Sequence, residues 1–279
     1  MGRDSFKIQL IQENIIHNFN YIREHTQKEI IAVVKANAYG HGLKEVVKIL
    51  VGCGCNYFAV ARESEALEIL SLNIPSINIL IFETIEDFSL LKKYKNLEMV
   101  INSIDELLEL IKEKINFSQL HLKFDFGFAR NGFIQNEIET IKNIVIKNNL
   151  HFKGAMTHFF NSDFNETIEI QNRSIESIKY IGDNYFDIIH SQNSAATLLG
   201  LGDGFSKKNT NILCHINNKE YPIVHISMDT SFVLIDDSVN LGDIVEIYKN
   251  FDSCSSFLNM NHYEYTTLIN SRIPRFILK

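Results

Sequence analysis

Prolines are scarce, three in 279 residues, and no stretch is dense in glycine and serine. Such a chain offers no obvious flexible linker between separately folded parts. The four cysteines, Cys53, Cys55, Cys214 and Cys254, do not make a credible disulfide framework at this length. Cys53-Gly-Cys55 has no second ligand pair, so no metal site is expected and reduced thiols are. Apolar runs long enough to span a bilayer are missing. No apolar signal core follows Met1-Gly-Arg-Asp4, and Phe6 stands where a myristoylation motif wants Ser or Thr. The expectation is a cytoplasmic protein. Positive charge is also short: 27 Lys and Arg against 34 Asp and Glu leave a net charge of −7. That argues against a nucleic-acid or anionic-membrane surface.

What is present is ordinary globular material, 45% hydrophobic and 22% charged, enough for one large core or two modest ones. Short apolar runs alternate with helical periodicity. Ile30 to Val34, Tyr57 to Ala61, Ile77 to Phe82, Glu98 to Asn102, Leu120 to Asp125, Phe152 to His158 and Phe186 to His190 read as seven strands. Helices read between them, from Leu43 to Val51 and from Ser103, which has Glu106 three residues on in a capping-box arrangement. Ile104, Leu107, Leu108, Ile111 and Ile115 form the apolar stripe of the latter. A repeat of roughly 25 to 35 residues fits parallel βα units. A closed (β/α)8 barrel needs an eighth strand, and after Leu199 the pattern stops. Past Gly200, Tyr221 to Asp229, Ser231 to Ile235 and Asp243 to Tyr248 look like short strands joined by turns, with no convincing helical period. The organisation expected is an α/β TIM-type barrel over residues 1–199, its eighth strand missing, then a shortened all-β domain over 200–279. Phe6 to Leu10 alternates and could be a further strand of that β domain.

The chain is organised around Ile30-Ile-Ala-Val-Val-Lys-Ala-Asn-Ala-Tyr-Gly-His-Gly42. Five apolar residues predict a buried strand, and Lys35 follows at its carboxyl end, where parallel α/β folds place their chemistry. An amine entering an apolar site has its pKa lowered by desolvation, which suits a nucleophile or base that forms an imine with a carbonyl. The bland alternative is a lysine snorkelling from a strand end.

Ala-Val-Val-Lys-Ala-Asn-Ala-Tyr-Gly-His-Gly resembles the pyridoxal-phosphate signature of bacterial alanine racemases. The resemblance implies that Lys35 carries the cofactor and is one of two catalytic bases, and that Tyr39 reaches its phosphate. His121-Leu-Lys-Phe-Asp-Phe-Gly-Phe-Ala-Arg-Asn-Gly132 is similar to the family segment that sets an arginine beside the substrate. It implies that Arg130 meets a substrate carboxylate or the cofactor's phenolic oxygen, with the guanidinium fork suited to such anions. Lys123 matches a lysine that many members carry as a carbamate, whose added carboxylate orients that arginine. His158 matches a histidine near the cofactor ring. Asn193-Ser194 opens a helix, whose free N–H groups suit a phosphate, and Ser194 matches a phosphate ligand. Ile226-Ser-Met-Asp229 resembles a methionine–aspartate pair that enters the partner subunit's site, so Met228 would face the substrate carboxylate with Asp229 beside it. His262-Tyr263-Glu264 matches the closing motif, with Tyr263 a second phosphate-binding tyrosine. Read as bland features, Arg130 and Lys123 are a surface arginine and a lysine after a strand, His158 is a packed histidine, Asn193-Ser194 is a helix cap and Tyr263 is a buried tyrosine.

The resemblance lapses between Leu199 and Gly200. The family stretch missing there holds the eighth strand, the arginine at the pyridine nitrogen and the second catalytic base, a tyrosine. Neither Tyr221 nor Tyr248 has that context. A base is needed on each face of a planar carbanion, and losing one typically costs about 10²- to 10⁴-fold. The resemblance therefore implies a homodimeric, pyridoxal-phosphate-dependent interconversion of L- and D-alanine, serving D-alanine supply for the cell wall. The alternatives are a pyridoxal-phosphate-binding carrier barrel and an inactive derivative.

Overall fold

The structure is a computed structural model that describes residues 10–127, 130–159, 164–192, 204–226, 231–239, 243–247 and 251–260. Two compact units result, Met1–Ser194 and Ala195–Lys279.

The first unit opens with α1 (Gln12–Thr26), then β1 (Ala32–Val33), a short segment α2 (Lys35–Tyr39) and α3 (Leu43–Gly52). Strand and helix then alternate: β2 (Tyr57–Val60), α4 (Glu63–Leu70), β3 (Asn78–Ile81), α5 (Ser89–Lys93), β4 (Leu97–Ile101) and α6 (Ile104–Lys112). The series continues with β5 (Leu120–Phe124), α7 (Ile138–Asn148), β6 (Phe152–His158), α8 (Phe164–Ile181) and β7 (Phe186–Gln192). All seven strands form one sheet in sequential order, and every pairing is parallel. Parallel strands send all their carboxyl ends to one edge of the sheet, which sets where the site can lie.

Period-2 alternation divides the side chains between two cores. Val60, Ile79, Ile81, Met99, Ile101, Leu122 and Ala155 face the helices and pack on Leu43, Val47, Ile69, Leu107, Ile141 and Val145. Each such buried aliphatic contributes roughly 1.5–3 kcal/mol. The opposite faces meet one another: Tyr57, Ala59, Leu80, Val100 and Met156 form an inner cluster that also takes in Val33 of β1, Ile31 just before it and Ile188 from β7. First and last strands can share a cluster only if the sheet curls.

The sheet curls without closing. Among the described residues, β1 and β7 each have one neighbouring strand. A cavity of about 630 Å³ lies between them, lined by Ile31, Val33, Tyr57, Ile188, Ile189 and His190 among others. The open edge explains why Ile30 to Val33 are half-buried rather than fully buried, and why Ile189 is 57% exposed.

The helix after Ser103 forms as its cap predicts: the Ser103 hydroxyl accepts the Glu106 N–H at 3.2 Å. The reciprocal bond runs one residue earlier, with Glu106 Oε2 accepting from the Asn102 N–H at 2.7 Å. Its buried stripe uses Leu107 and Leu110, while Leu108 is exposed.

In the second unit β8 (Leu213–Ile216), β9 (Lys219–Ile226), β10 (Ser231–Val233) and β11 (Val245–Glu246) make an antiparallel sheet in the order β10-β9-β8-β11. Asn217 and Asn218, both with positive φ, turn the β8–β9 hairpin, as a two-residue hairpin turn requires. The unit also contains a helix, α9 (Phe251–Leu258), whose Cys254 and Leu258 enter the core with Ile212, Cys214 and Ile223. The strand reading of this segment of the chain did not anticipate that helix. The alternation at Phe6 to Leu10 lies outside the described residues apart from Leu10.

Candidate active site

Lys35 emerges two residues after β1 and is 1% exposed. The backbone that carries it is unusual. Ala36, Asn37, Ala38 and Tyr39 all have φ between 51° and 55°, a left-handed turn that L-residues pay roughly 1–2 kcal/mol each to adopt. Neighbouring groups over-determine it. The Ala38 N–H donates to the Val34 carbonyl at 2.8 Å, and the Gly42 N–H to the Asn37 carbonyl at 2.9 Å. The Asn37 side-chain oxygen accepts from the Leu43 N–H at 2.8 Å. Glu65, buried at the start of α4, accepts from the Ala36 N–H at 2.6 Å and from the N–H groups of Ala61 and Arg62 at 3.0 and 3.1 Å. One carboxylate therefore ties the residue after Lys35 to the end of β2. Tyr39 ends the left-handed turn and is 38% exposed.

Lys123 and His158 stand at the carboxyl ends of β5 and β6, on the inner face, 5% and 2% exposed. Arg130 arrives on the loop after β5. Asp125 shapes that loop by accepting the Arg130 N–H at 2.7 Å and the Gly127 N–H at 3.3 Å. Phe133 returns to donate its N–H to the Lys123 carbonyl at 2.7 Å, and Gly132 donates to the Asn102 carbonyl at 3.1 Å. Gly132 has φ +120°, and a Cβ there would sit 2.9 Å from the Lys123 carbonyl oxygen. Only glycine allows so close a return. Between Gly132 and Arg130, the Asn131 side-chain oxygen accepts from Lys123 Nζ and, at 3.3 Å, from Arg130 Nε.

The electrostatics report how close these cations are. Burial pushes the Lys123 amine down to about 7; Arg130 and Lys35 add to the shift, and Asp125 opposes it. His158 is driven far below the usual imidazole range by burial, then by Arg130, Lys123 and Lys35. It is neutral at any physiological pH. Lys35, Lys123 and His158, all buried, thus form one basic constellation with the half-buried Arg130 at the carboxyl edge of the sheet. Such a concentration of positive potential favours an anion, because Coulomb attraction strengthens as the local dielectric falls and water is excluded. A phosphorylated aldehyde and an amino-acid carboxylate fit that donor set: a buried primary amine for the carbonyl, and a guanidinium for anionic oxygens.

A second polar layer lies deeper inside the curl, and the strand pattern alone did not single it out. Tyr57 donates to Glu98. Glu98 Oε2 meets His121 Nε2 at 2.7 Å, and His121 Nδ1 meets His190 Nε2 at 3.0 Å. Burial raises the Tyr57 hydroxyl well above its usual range, with the Glu98 charge adding to it, and holds His190 down at about 3, with His121 contributing. His190 is therefore neutral, half-buried at the wall of the cavity. A charged residue midway along Leu-Glu-Met-Val-Ile and a histidine in Leu-His-Leu-Lys-Phe were the available signals. Both fall on inward positions of buried strands.

Asn193, Ser194, Met228, Asp229 and Tyr263, the remaining candidates for binding cofactor or substrate, lie outside the described residues. Among the described residues, no group of three or more His, Cys, Asp or Glu side chains is arranged to hold a metal ion.

Comparison with known proteins gives these observations a lineage. The family profile "alanine racemase, N-terminal domain" matches residues 11–207, and "alanine racemase, C-terminal domain" matches residues 170–277. The alanine racemase of Fusobacterium nucleatum is 34% identical over 193 residues, 67% of this chain and 54% of that protein. The alanine racemase of Methanococcus maripaludis is 26% identical over an alignment of 361 positions that takes in 95% of this chain and 96% of that one. That alignment is longer than the 279-residue chain, so it opens gaps inside it. The crystal structure of alanine racemase from Bartonella henselae with covalently bound pyridoxal phosphate superposes with a TM-score of 0.54 at 20% identity, over 95% of this chain and 96% of that one. Apart from the Methanococcus protein, the chain spans about half the length of the curated relatives it matches. With the N-terminal profile matching residues 11–207, more than half of its length, the chain belongs to the alanine racemase family.

Proposed function

We propose that the chain binds pyridoxal 5'-phosphate at Lys35 and interconverts L- and D-alanine. The observation that carries this reading is the buried Lys35 amine set among Lys123, Arg130 and His158. Bound there, the cofactor supplies an electron sink that lets an amino acid's α-proton leave.

The chain's own residues do the rest. Lys35 supplies the amine for the covalent link and the base on one face. Its left-handed turn fixes that amine, and Glu65 fixes the turn. Arg130 receives an anionic oxygen of substrate or cofactor on its guanidinium. His158, neutral, offers packing and hydrogen bonding beside the ring without adding charge. Tyr39, Ser194 and Tyr263 are the proposed phosphate ligands, with Asn193 beside Ser194. Met228 and Asp229 are proposed to reach the site of a partner subunit in a homodimer. The domain division at 199/200, a cytoplasmic location and a role in supplying D-alanine for peptidoglycan belong to the same proposal.

The absence of a tyrosine in the family context of the second base favours a second reading, a cofactor-binding barrel without turnover. Two measurements separate the readings. Purified chain incubated with cofactor should show a visible absorbance band that borohydride fixes as a mass increment on a peptide containing Lys35, absent in Lys35→Ala. It should also convert L- to D-alanine. A fixed adduct with no exchange of the alanine α-proton into deuterated water leaves the carrier reading; no adduct at all removes both.

A further inference from the structure

We infer that His190 is the cofactor-binding residue that meets the ring nitrogen of pyridoxal phosphate, donating a hydrogen bond from Nδ1 at the end of the Tyr57–Glu98–His121 chain. The inference rests on the cofactor reading above and adds a contact that reading leaves unassigned.

In pyridoxal phosphate the aldehyde carbon and the ring nitrogen are para to one another. A ring tethered through its aldehyde to Lys35 points its nitrogen away from that amine, and the nitrogen needs a partner where it arrives. The sheet register brings His190 under the site. Lys123 on β5 pairs with Met156 on β6, and Met156 pairs with His190 on β7. The lysine and the imidazole therefore share one row across three strands. Ile188 belongs to the inner cluster, and His190, two residues on, shares its face. His158 follows Met156 by two residues, so His190 lies one inward step below it.

The polar layer inside the curl has one donor left. Tyr57 donates to Glu98, and His121 meets Glu98 through Nε2 and His190 through Nδ1. Among the described residues His190 makes a single hydrogen bond, from Nε2 to His121 at 3.0 Å. It also lines the cavity of about 630 Å³ between β1 and β7. Glu98 offers only acceptor oxygens. Positive potential from Lys123 and Arg130 disfavours a proton on the ring nitrogen, which is then an acceptor and calls for a donor that adds no charge. His190, held neutral, meets that need. The bonds then all run one way: Tyr57 and His121 Nε2–H donate to Glu98, His121 Nδ1–H donates to His190 Nε2, and His190 Nδ1–H faces the ligand. This direction puts hydrogen on both nitrogens of His121, whose charge the Glu98 carboxylate at 2.7 Å balances.

Two measurements test the assignment. In the cofactor-free chain labelled with ¹⁵N-histidine, at pH 7.5, the His190 resonances should show a proton on Nδ1 and a lone pair on Nε2. The opposite tautomer overturns the inference, and this result needs neither cofactor nor turnover. The chain is then titrated with pyridoxal 5'-phosphate and with its 1-deaza analogue, in which C–H replaces the ring nitrogen. Mass spectrometry counts the adduct that borohydride fixes on Lys35. Wild type should load the natural compound about tenfold more tightly or more, the size of one buried hydrogen bond, and in His190→Leu that ratio should fall to about twofold or less. The ratio is taken within one protein, so a general loss of stability cancels. Equal loading of the two compounds by wild type, or an unchanged ratio in the leucine variant, overturns the inference. If the leucine variant does not fold, the wild-type ratio and the tautomer decide. Wild type that loads neither compound removes the cofactor reading and His190's role together; wild type that loads both equally removes only the role of His190.

Discussion

The imidazole of His121 rests on Gly154, so closely that a Cβ on the glycine would lie 2.5 Å from His121 Nδ1 and 2.9 Å from Ile188 Cγ1. The ring cannot swing aside, because Glu98 holds one nitrogen and His190 the other. Gly154→Ala should therefore overpack the inner face, destabilising the chain by about 1–3 kcal/mol. Urea unfolding followed by far-UV circular dichroism measures it. In a His121→Ala background the clash with the ring is gone and only the one with Ile188 Cγ1 remains, so the glycine substitution should cost less there. Equal costs in both backgrounds would show that the contact with His121 is not the cause.

Glu65 carries a comparable responsibility at the site. Its carboxylate accepts three backbone N–H groups, from Ala36, Ala61 and Arg62. In Glu65→Gln one acceptor oxygen becomes an NH2 donor facing backbone donors. Loss of hydrogen bonds to a charged group costs about 1.5–3 kcal/mol. The loss falls on the left-handed turn, so the effect should exceed a general drop in stability. The variant should load pyridoxal phosphate at least tenfold more weakly, read from the visible absorbance titration at a temperature where the variant remains folded. Normal loading in a destabilised variant would separate Glu65 from the placement of Lys35.

These two residues show what a linear reading reaches and where it stops. Lys35 was legible because one contiguous motif couples a buried strand to a glycine-marked turn. Lys123 and His158 were named only through the family resemblance, since as polar residues closing apolar runs they read equally well as bland features. Glu65 and Asn131 were not singled out, because their importance lies in partners: Ala36 is 29 residues from Glu65, and Lys123 is 8 from Asn131. Seven strands emerged from hydrophobic runs, since burial on both faces of a parallel sheet leaves a strong signal. The second unit was harder. Leu213 to Ile216 is only four residues long, and the Asn217-Asn218 turn that marks its end has no glycine. In α9, serines separate the apolar positions 251, 254 and 258, so the helical period was hidden among turn-forming residues. Left-handed geometry after Lys35 had no signal except Asn37 and two glycines, because alanine and tyrosine rarely adopt it.

Ser103 tests the one helix start that sequence and structure describe in the same terms. Its hydroxyl accepts the Glu106 N–H, satisfying one of the donors that a helix start leaves open. Ser103→Ala should cost about 1 kcal/mol, and Ser103→Asp should retain the cap. Paired urea titrations of the three chains check this, and an alanine variant as stable as wild type would remove the cap from the account of α6.

Lys123 gives the clearest pH dependence. Its amine is held down at about 7 in the folded chain, against about 10.4 in an unfolded one. Between those values the unfolded chain binds more protons than the folded chain, so stability rises with pH across the window. Below pH 7 the lysine is charged in both states, and the full cost of burying that charge beside Arg130 and Lys35 is felt. Above the unfolded value the amine is neutral in both states, and the cost is gone. The slope attributable to this one group approaches, at most, about 1.4 kcal/mol per pH unit. Other buried groups titrate nearby, among them Cys55, whose thiol burial pushes up, so the measurement is a difference. Urea unfolding of wild type and Lys123→Met at pH 7.0, 8.0 and 9.0 should show the variant more stable relative to wild type at pH 7.0, with the gap closing as pH rises. A gap that is constant across the three values means that Lys123 keeps its proton throughout, and the cationic cluster at the end of β5 is then less crowded than its geometry indicates.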